Sequence, residues 1–286
     1  MDFSKIKKIT CEDYTVSNEK FDLVYNEKFK MFETYPQPKI EELGRYYESS
    51  AYISHTDSKK SFVDKLYQIV KGYTLNKKLK LINSFKTEQK NLLDVGCGTG
   101  DFLLNCKNNG WNVVGVEPNK NAKSLAETKL LVNSPSNIYS DLIHINEEKF
   151  DVITLWHVLE HVPNLSSYIA NLKLLLKPNG VLVIAVPNYK SYDANYYKQF
   201  WAAFDVPRHL SHFSKKSIQL LFSKQQMDVV KILPMKFDSF YVALLSEKYK
   251  HGKSNFIKAF YIGFLSNLKA LSSKEYSSLI YLIKNN

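Results

Sequence analysis

The stretch that most constrains the fold is residues 91–101, Asn-Leu-Leu-Asp-Val-Gly-Cys-Gly-Thr-Gly-Asp. Apolar residues around Asp94 predict a short buried strand, and Gly96, Gly98 and Gly100 alternate before an apolar helical run. Glycines at this spacing let the backbone reverse and approach a ligand that a Cβ atom would repel. The stretch therefore predicts a strand, a tight turn and a helix, with a ligand at the turn.

A second predicted strand, residues 111–116, ends in Glu117, which is placed to accept hydrogen bonds from two ribose hydroxyls. The pattern is Gly-x-Gly-x-Gly, and Asp101 stands where the dinucleotide fingerprint has its last glycine. The spacing therefore predicts a site for a nucleoside and no site for a pyrophosphate.

These residues resemble class I S-adenosylmethionine-dependent methyltransferases. Residues 93–100 are similar to the first motif of that family and residues 114–119 to the second. The resemblance implies S-adenosylmethionine as cofactor, with the glycine turn under its methionine part and Glu117 at its ribose. It also implies that Asp141 and its neighbour Leu142 meet the adenine, although an Asp after a strand is as often a turn former. The implied cofactor residues are Asp94, Gly96, Cys97, Gly98, Gly100, Glu117, Pro118, Asn119, Asp141, Leu142 and Trp156.

Strands and helices alternate from residue 91 onward, which predicts a parallel sheet covered on both faces. We expect an α/β fold with a three-layer Rossmann-like methyltransferase sheet, mostly parallel, whose seventh strand is antiparallel. The expected elements after residue 117 are helix 119–131, strand 137–140, strand 150–155, helix 165–176, a turn at 178–180, strand 181–186, helix 214–223, strand 229–234 and strand 277–283.

The first 55 residues are predicted to form a separate, small β-rich unit, and residues 56–286 the methyltransferase domain. Strands are expected in residues 9–17 and 21–34, and helices in residues 61–71 and 75–85. Residues 46–52 are expected to form a hinge, whose tyrosines either close over the cofactor or simply pack.

The N-terminal unit resembles a zinc knuckle that precedes some bacterial methyltransferases of this type. Two Cys-x-x-Cys pairs would be expected, but only Cys11 is present, and Tyr14, Asn26 and Phe29 occupy the other three positions. Because four-coordinate zinc needs four ligands, we expect a degenerate knuckle in which aromatic packing replaces the metal.

The predicted fourth strand ends at Trp156 and His157, where open parallel sheets bind ligands. His157 is a candidate base for an acceptor hydroxyl, because imidazole titrates near neutral pH, or else it packs against the adenosine. Glu160 and His161 resemble part of the Glu-x-x-Glu-His metal motif of some quinone O-methyltransferases, with His157 where the first Glu would stand. A lone Glu-His pair is a poor site for a hard cation, so no metal is expected.

Residues 188–214 form an aromatic-rich connection at the predicted ligand end and are expected to contribute to an acceptor pocket. Candidate substrate residues are Tyr192, Trp201 and Arg208, and His209 and His212 are alternative bases. Arg208 contacts an acidic acceptor or pairs internally with Asp205. The segment from Trp201 to Ser214 resembles a signature of a bacterial methyltransferase subgroup.

Residues 239–271 read as a helical insertion before the last strand. They either cover the acceptor site or lie as an amphipathic helix on a membrane surface. Three cysteines without a pairing pattern and no apolar window of 18 residues suggest a soluble, cytoplasmic protein.

The net charge of +11 is carried almost entirely by dispersed lysines, with Arg45 and Arg208 as the only arginines. This pattern favours a solvated surface over nucleic-acid binding. The adenine N-methylation motif Asn/Asp-Pro-Pro-Tyr/Phe is also absent after the fourth strand. The predicted function is methyl transfer from S-adenosylmethionine to a small or medium-sized acceptor, which is aromatic, lipid-like or glycosyl. An RNA methyltransferase or RNA-binding protein is the alternative, and a cofactor-binding scaffold without catalysis stays open.

Overall fold

A computed structural model describes residues 6–47, 62–130, 137–145 and 149–286. The chain divides into two compact units. The first unit comprises Met1–Ser49, His157–Ser166 and Ile184–Leu282, and the second comprises Ser50–Trp156, Ser167–Val183 and Ile283–Asn286. Residues 48–52 of the predicted hinge lie outside the described residues.

The strands, in chain order, are β1 (Lys8–Glu12), β2 (Lys20–Asn26), β3 (Met31–Tyr35), β4 (Asn91–Val95), β5 (Asn112–Val116), β6 (Ile138–Tyr139), β7 (Phe150–Trp156), β8 (Leu176–Pro187), β9 (Ser211–His212), β10 (Met227–Met235) and β11 (Ser278–Asn285). The helices are α1 (Ile40–Leu43), α2 (Phe62–Asn83), α3 (Asp101–Lys107), α4 (Lys120–Leu130), α5 (Leu165–Leu175), α6 (Tyr192–Tyr197), α7 (Lys215–Ser223), α8 (Asp238–His251) and α9 (Phe256–Ser273).

The larger sheet has seven strands in the order β10, β11, β8, β7, β4, β5, β6. Strand β4 pairs in parallel with β5 and with β7, and β5 pairs in parallel with β6. The predicted fold class is confirmed as a mostly parallel α/β sheet with one antiparallel strand. The nearly continuous apolar runs of β4 and β7 are buried, as expected of strands covered on both faces.

Two local predictions for the second unit are wrong. The break expected between helices 61–71 and 75–85 does not exist, since α2 continues through Gly72. An isolated glycine costs a helix only about 1 kcal/mol. The turn expected at residues 178–180 is part of β8, which begins at Leu176.

The smaller sheet belongs to the first unit and is antiparallel, in the order β1, β2, β3, β9. The strand expected over residues 21–34 is two strands, because a turn at Lys30 reverses the chain. Lys30 has a φ of 55°, and its N–H donates to the Asn26 carbonyl oxygen at 2.8 Å. The β-rich character of the N-terminus is thus observed, with two strands within residues 21–34.

The N-terminal strands do not form a unit of their own, in contrast to the predicted boundary at residue 55. Phe21, Leu23 and Phe32 lie in one hydrophobic core with residues far along the chain, among them Trp201 and Phe204. Strand β3 also pairs with β9, with Phe32 opposite His212. Burial of these apolar surfaces joins the N-terminal sheet to the segment after β8 in the first unit.

The four positions compared with a zinc knuckle hold ordinary packing contacts. Cys11 is buried in β1, and Tyr14 stacks on Tyr249 with ring centroids 4.7 Å apart. The Asn26 side-chain oxygen accepts the backbone N–H of Phe29 at 3.1 Å and so closes the turn. The relation to a zinc knuckle stays a prediction.

The predicted helical insertion is present as α8 and α9, which pack against each other in the first unit. At their contact, a Cβ added to Gly263 would lie 2.8 Å from Phe240 Cδ1, so only glycine allows this approach. The outer side of α9 exposes large apolar residues, namely Phe256, Ile257, Phe260, Tyr261, Phe264, Leu268 and Leu271. Within the described part of the chain, no helix has the length and apolar composition needed to cross a membrane.

Candidate functional site

The glycine turn lies at the carboxyl end of β4 in the second unit. The backbone N–H groups of Gly96 and Cys97 both donate to the Val116 carbonyl oxygen, at 2.8 and 3.0 Å, so β5 holds the turn in place. Gly98 and Gly100 have φ angles of 54° and 80°, in the left-handed region that favours glycine. The predicted strand, turn and helix are therefore confirmed, with Gly100 directly before α3.

Glu117 ends β5 and reaches back across this turn. One carboxylate oxygen accepts the N–H of Gly98 and the other accepts the N–H of Asn119, both at 2.9 Å. The residue is 8% exposed, and burial raises the pKa of its carboxyl. A carboxylate has about four lone-pair positions. Two of them are used, so each oxygen can accept one more hydrogen bond from a ligand.

Asp94 lies beneath the turn and is almost fully buried. Its Oδ1 accepts a hydrogen bond from the Thr154 hydroxyl at 2.6 Å. Burial raises the pKa of Asp94 to about 7, although the Thr154 hydrogen bond opposes the rise. The structure therefore joins β4 to β7 through a carboxyl that titrates near neutral pH.

Asp141 and Leu142, the two residues predicted to meet the adenine, differ in their exposure to solvent. Asp141 is exposed, and its Oδ1 accepts the Ile143 N–H at 3.1 Å, which caps a short 3-10 helix over Leu142–His144. Leu142 is buried. The capping contact is the turn-forming role that the sequence left open for Asp141.

Trp156, at the end of β7, is half-buried in the second unit. Lys78 Nζ lies 4.4 Å from its ring centroid, and Phe102 meets it edge-on at 5.8 Å. Its indole N–H is buried and has no hydrogen-bond partner among the described residues. Sequence analysis did not find Lys78, because nothing in the spacing of α2 distinguishes this lysine from its neighbours.

The contacts of Asp101 are also not predicted by the sequence. Its carboxylate pairs with Lys71 at 2.6 Å and with Lys129 at 2.7 Å. Burial raises the pKa of Asp101, but hydrogen bonds from the two lysines outweigh burial and leave the pKa lowered. The residue that replaces the last glycine of the dinucleotide pattern thus anchors the start of α3.

His157 opens the histidine cluster of the first unit. Its backbone φ is 58°, and its two ring nitrogens lie 3.2 Å from Glu160 Oε1 and 3.0 Å from Asp238 Oδ2. Both carboxylates only accept hydrogen bonds, so both nitrogens carry protons. Burial lowers the pKa of His157, but the bonds to Asp238 and Glu160 outweigh it and raise the pKa to about 10. These contacts favour the charged ring and do not support the predicted base that titrates near neutral pH.

His161 and His209 lie side by side, with ring centroids 4.6 Å apart and planes at 82°. His161 Nδ1 is 3.0 Å from the Arg208 carbonyl oxygen, and His209 Nδ1 is 2.9 Å from the Ala203 carbonyl oxygen. The Tyr47 hydroxyl also lies 2.9 Å from His161 Nδ1. A carbonyl only accepts, so each Nδ1 carries the proton, and the Tyr47 oxygen is a second acceptor for the Nδ1–H of His161. Each Nε2 then keeps a lone pair.

His212 has a structural role in the described residues. The Thr34 hydroxyl donates to the His209 carbonyl oxygen at 2.6 Å and lies 2.9 Å from His212 Nε2, so His212 donates to Thr34. His212 is buried, and burial lowers the pKa of its ring well below the ordinary value. Enclosure and the donor role of Nε2 do not support its prediction as a base.

Arg208 makes the internal pair that the sequence left open. Its guanidinium donates to Asp205 through Nε at 3.0 Å and Nη2 at 2.7 Å, and to Asp13 Oδ1 at 2.9 Å. A third contact, from Nη1, reaches the Tyr46 carbonyl oxygen at 2.9 Å. The side chain is 5% exposed, so the guanidinium ties the turn after β1 to the segment after α6 and does not face a methyl acceptor.

Trp201 and Tyr192, the other two predicted substrate residues, differ in burial. Trp201 is 2% exposed, and its indole N–H donates to Asp193 Oδ2 at 2.7 Å, so the ring is core and not pocket wall. Tyr192 is half-buried, and Lys269 Nζ lies 4.5 Å from its ring centroid. Of the three, only Tyr192 keeps surface for a ligand.

A cavity of about 800 Å³ lies in the second unit at the amino ends of the strands, where Asn91, Asn112 and Phe150 line it. Parallel sheets bind ligands beyond the opposite, carboxyl ends. Glu117 and the glycine turn lie at those carboxyl ends, so we place the candidate site there and not in this cavity.

Comparison with known proteins identifies the family and supports the fold. A family model described as a methyltransferase domain matches residues 63–232. Ubiquinone biosynthesis O-methyltransferase of Hydrogenovibrio crunogenus is 32% identical over 123 residues, covering 40% of this chain and 51% of that protein. The Haemophilus ducreyi protein of the same name is 40% identical over 108 residues, covering 35% and 46%. This chain thus spans about half the length of the curated relatives it matches.

Among solved structures, magnesium protoporphyrin IX methyltransferase from Synechocystis with bound SAH superimposes with a TM-score of 0.56 at 16% identity, covering 86% of this chain and 100% of that chain. This likeness shows the fold. The family model spans 170 of the 286 residues. The chain therefore belongs to the methyltransferase-domain family.

Proposed function

We infer that this chain transfers the methyl group of S-adenosylmethionine to a small or medium-sized acceptor of aromatic, lipid-like or glycosyl chemistry. Membership of the methyltransferase-domain family supports the reaction type. The matched relatives named ubiquinone biosynthesis O-methyltransferase support a small-molecule acceptor. The observation that carries the inference is the Glu117 carboxylate at the glycine turn.

The Glu117 arrangement suits a ribose for two reasons. Backbone N–H groups of Gly98 and Asn119 fix both carboxylate oxygens, so the acceptor geometry exists before a ligand arrives. The remaining lone pairs match two neighbouring hydroxyl donors. Burial makes each of these hydrogen bonds stronger than it would be in water.

When bound, S-adenosylmethionine supplies an electrophilic methyl group on a sulfonium sulfur. The protein's main contribution would be alignment of acceptor and methyl group for in-line displacement, which is worth several kcal/mol of the barrier. Glu117 would hold the ribose, the glycine turn would admit the cofactor's amino-acid part, and Trp156 would offer an apolar face with a free indole donor.

The predicted bases receive unequal support. The contacts of His157 with Glu160 and Asp238 favour its imidazolium form, which has no lone pair for a proton. His212 donates its Nε2 proton to Thr34. Only His209 keeps an Nε2 lone pair among the three, and it is 8% exposed. We therefore propose that acceptor deprotonation, where the acceptor needs it, does not depend on His157.

Binding of S-adenosylhomocysteine, measured by isothermal titration calorimetry, tests the proposal. Glu117→Gln replaces one acceptor oxygen by an amide donor, so binding should weaken by about 10- to 100-fold, the value of a hydrogen bond to a charged group. Glu127→Gln is the matched control, since Glu127 lies on α4 and, within the described part of the chain, pairs with Lys123 at 3.8 Å. Absence of binding to the unmodified protein at millimolar ligand would refute the proposed function.

Transfer of label from methyl-labelled cofactor to fractions of a cell extract would then identify the acceptor class. Label in a small organic fraction supports the proposal. Label confined to RNA would replace it with the alternative function.

A further inference from the structure

Three side chains of the first unit converge on one point. Glu160, His161 and His209 each bring a potential ligand atom to within 4.8 Å of the other two. Glu160 and His161 lie in the short 3-10 helix after β7, whereas His209 comes from the segment that precedes β9. The long sequence separation explains why the sequence showed only a Glu-His pair and no third ligand.

Both imidazoles are prepared to bind through Nε2. Each Nδ1–H donates to a main-chain carbonyl, that of Arg208 for His161 and that of Ala203 for His209. Such second contacts fix the ring orientation and the tautomer of metal-binding histidines and make the free nitrogen a better donor. The two ring planes are at 82° to each other, and each ring brings one nitrogen to within 4.8 Å of the other ring's ligand atom and of a Glu160 oxygen.

Glu160 supplies the third ligand atom, and its side chain also gives an independent indication that a cation binds here. It is 1% exposed, and its Oε1 contacts His157 at 3.2 Å. Its other oxygen, Oε2, is buried and has no hydrogen-bond partner among the described residues. A buried carboxylate oxygen without a partner is costly, and nearly all such atoms in folded proteins are satisfied. A cation at this point would satisfy it.

We propose that Glu160, His161 and His209 bind a divalent transition-metal ion, with zinc as the best match. Two imidazole nitrogens and one carboxylate oxygen suit zinc and its neighbours in the first row, whereas magnesium and calcium prefer oxygen ligands alone. Bonds of about 2.0–2.2 Å require ligand atoms roughly 3.3 Å apart, so the three side chains draw together slightly when the ion binds.

Three protein ligands leave the fourth zinc position open to water or to an oxygen of a substrate. Nearby charges balance the ion. Asp205 Oδ2 lies 3.9 Å from His209 Nε2, and Asp238 accepts from His157 on the far side of Glu160. His157 Nδ1 contacts Oε1 of Glu160, so Oε2 is left for the metal.

Metal binding to the purified full chain tests the proposal directly. After dialysis against a chelator, titration with Zn²⁺ by calorimetry should show one site per chain with submicromolar affinity. Co²⁺, used as a coloured substitute, should give an intense visible absorption band typical of four-coordinate nitrogen and oxygen ligation. Zn²⁺ should also raise the thermal unfolding midpoint.

The variants Glu160→Gln and His209→Ala should each weaken Zn²⁺ binding by more than about 100-fold and remove the intense Co²⁺ band. His251→Ala is the control, since His251 is an exposed histidine on α8 and should leave both signals unchanged. Circular dichroism checks that each variant is folded, and the near-isosteric Glu160→Gln serves if His209→Ala unfolds.

Absence of Zn²⁺ binding to the folded wild-type chain would overturn the proposal, whatever the variants do. Equal loss of binding in His251→Ala would also overturn it, because the ion would then sit on surface histidines. If both site variants unfold, a weak Co²⁺ band typical of six-coordinate ligation in the wild-type chain would refute the site and an intense one would support it.

Discussion

Asp94 should make the protein less stable as the pH rises, and replacing it by Asn should remove that loss. The pKa of its carboxyl is raised from 3.8 to about 7 in the folded chain, first by burial. The folded state therefore binds more protons than the unfolded state between these two values, so the free energy of unfolding falls as the pH rises through this window.

The size of the effect follows from the shift. A rise from 3.8 to about 7 is roughly three pKa units. At 1.36 kcal/mol per unit it corresponds to about 4 kcal/mol lost between acid and pH 8. Asn keeps a carbonyl oxygen that can accept the Thr154 hydroxyl and carries no charge to bury. Asp94→Asn should therefore match wild type near pH 4 and exceed its stability by a few kcal/mol at pH 8.

Urea unfolding followed by tryptophan fluorescence, in steps from pH 4 to pH 8, measures this difference. Asp101→Asn is a control of opposite sign. The pKa of Asp101 is lowered by Lys129 and Lys71, so its substitution should cost stability above pH 4 and little below. A difference between Asp94→Asn and wild type that stays constant across the pH range would refute the reasoning.

Three further substitutions test the packing. Asp193→Ala leaves three buried donors without their acceptor and should lower the free energy of unfolding by about 3–5 kcal/mol in urea titration, with Asp193→Asn losing less. Gly100→Ala should lower the free energy of unfolding by about 2 kcal/mol in the same assay, and Gly110→Ala by about 1 kcal/mol. Both glycines have a φ of 80°, but of the two new Cβ atoms only the one at Gly100 would contact another residue, Ala126, at 3.0 Å. Ile257→Ser, on the exposed side of α9, should change the free energy of unfolding by less than about 0.5 kcal/mol. Ile262→Ser, on the buried side, should lower it by about 2–4 kcal/mol. Similar losses in the two variants would show that the two faces are misassigned.

The alternation of strands and helices after residue 91 was readable from the sequence because each element carries its own local pattern. The glycine turn and Glu117 could be predicted for the same reason, since their contacts join residues at most 20 apart. The sequence did not predict which part of the chain the N-terminal strands pack against. The ring centroids of Phe32 and Tyr189 lie 5.1 Å apart, and no local sequence pattern predicts a contact between residues so far apart in the chain.

The histidines show the same limit at the level of chemistry. The sequence placed His157 at the end of a strand, but its charge depends on Asp238, which is 81 residues away. Glu160 and His161 looked like an incomplete ligand set because His209 belongs to another element. Arg208 looked like an anion receptor, and its partner Asp13 lies 195 residues earlier in the chain.

The position of β11 has a consequence for how the chain is made. This strand is synthesised last among the strands, yet it lies inside the larger sheet, between β10 and β8. While the ribosome translates residues 188–277, β8 has one open hydrogen-bonding edge and β10 has no neighbour. Open edges of apolar strands are sites of intermolecular pairing. A growing chain therefore exposes these edges until β11 has left the ribosome, and the sheet closes late in the synthesis of the described strands.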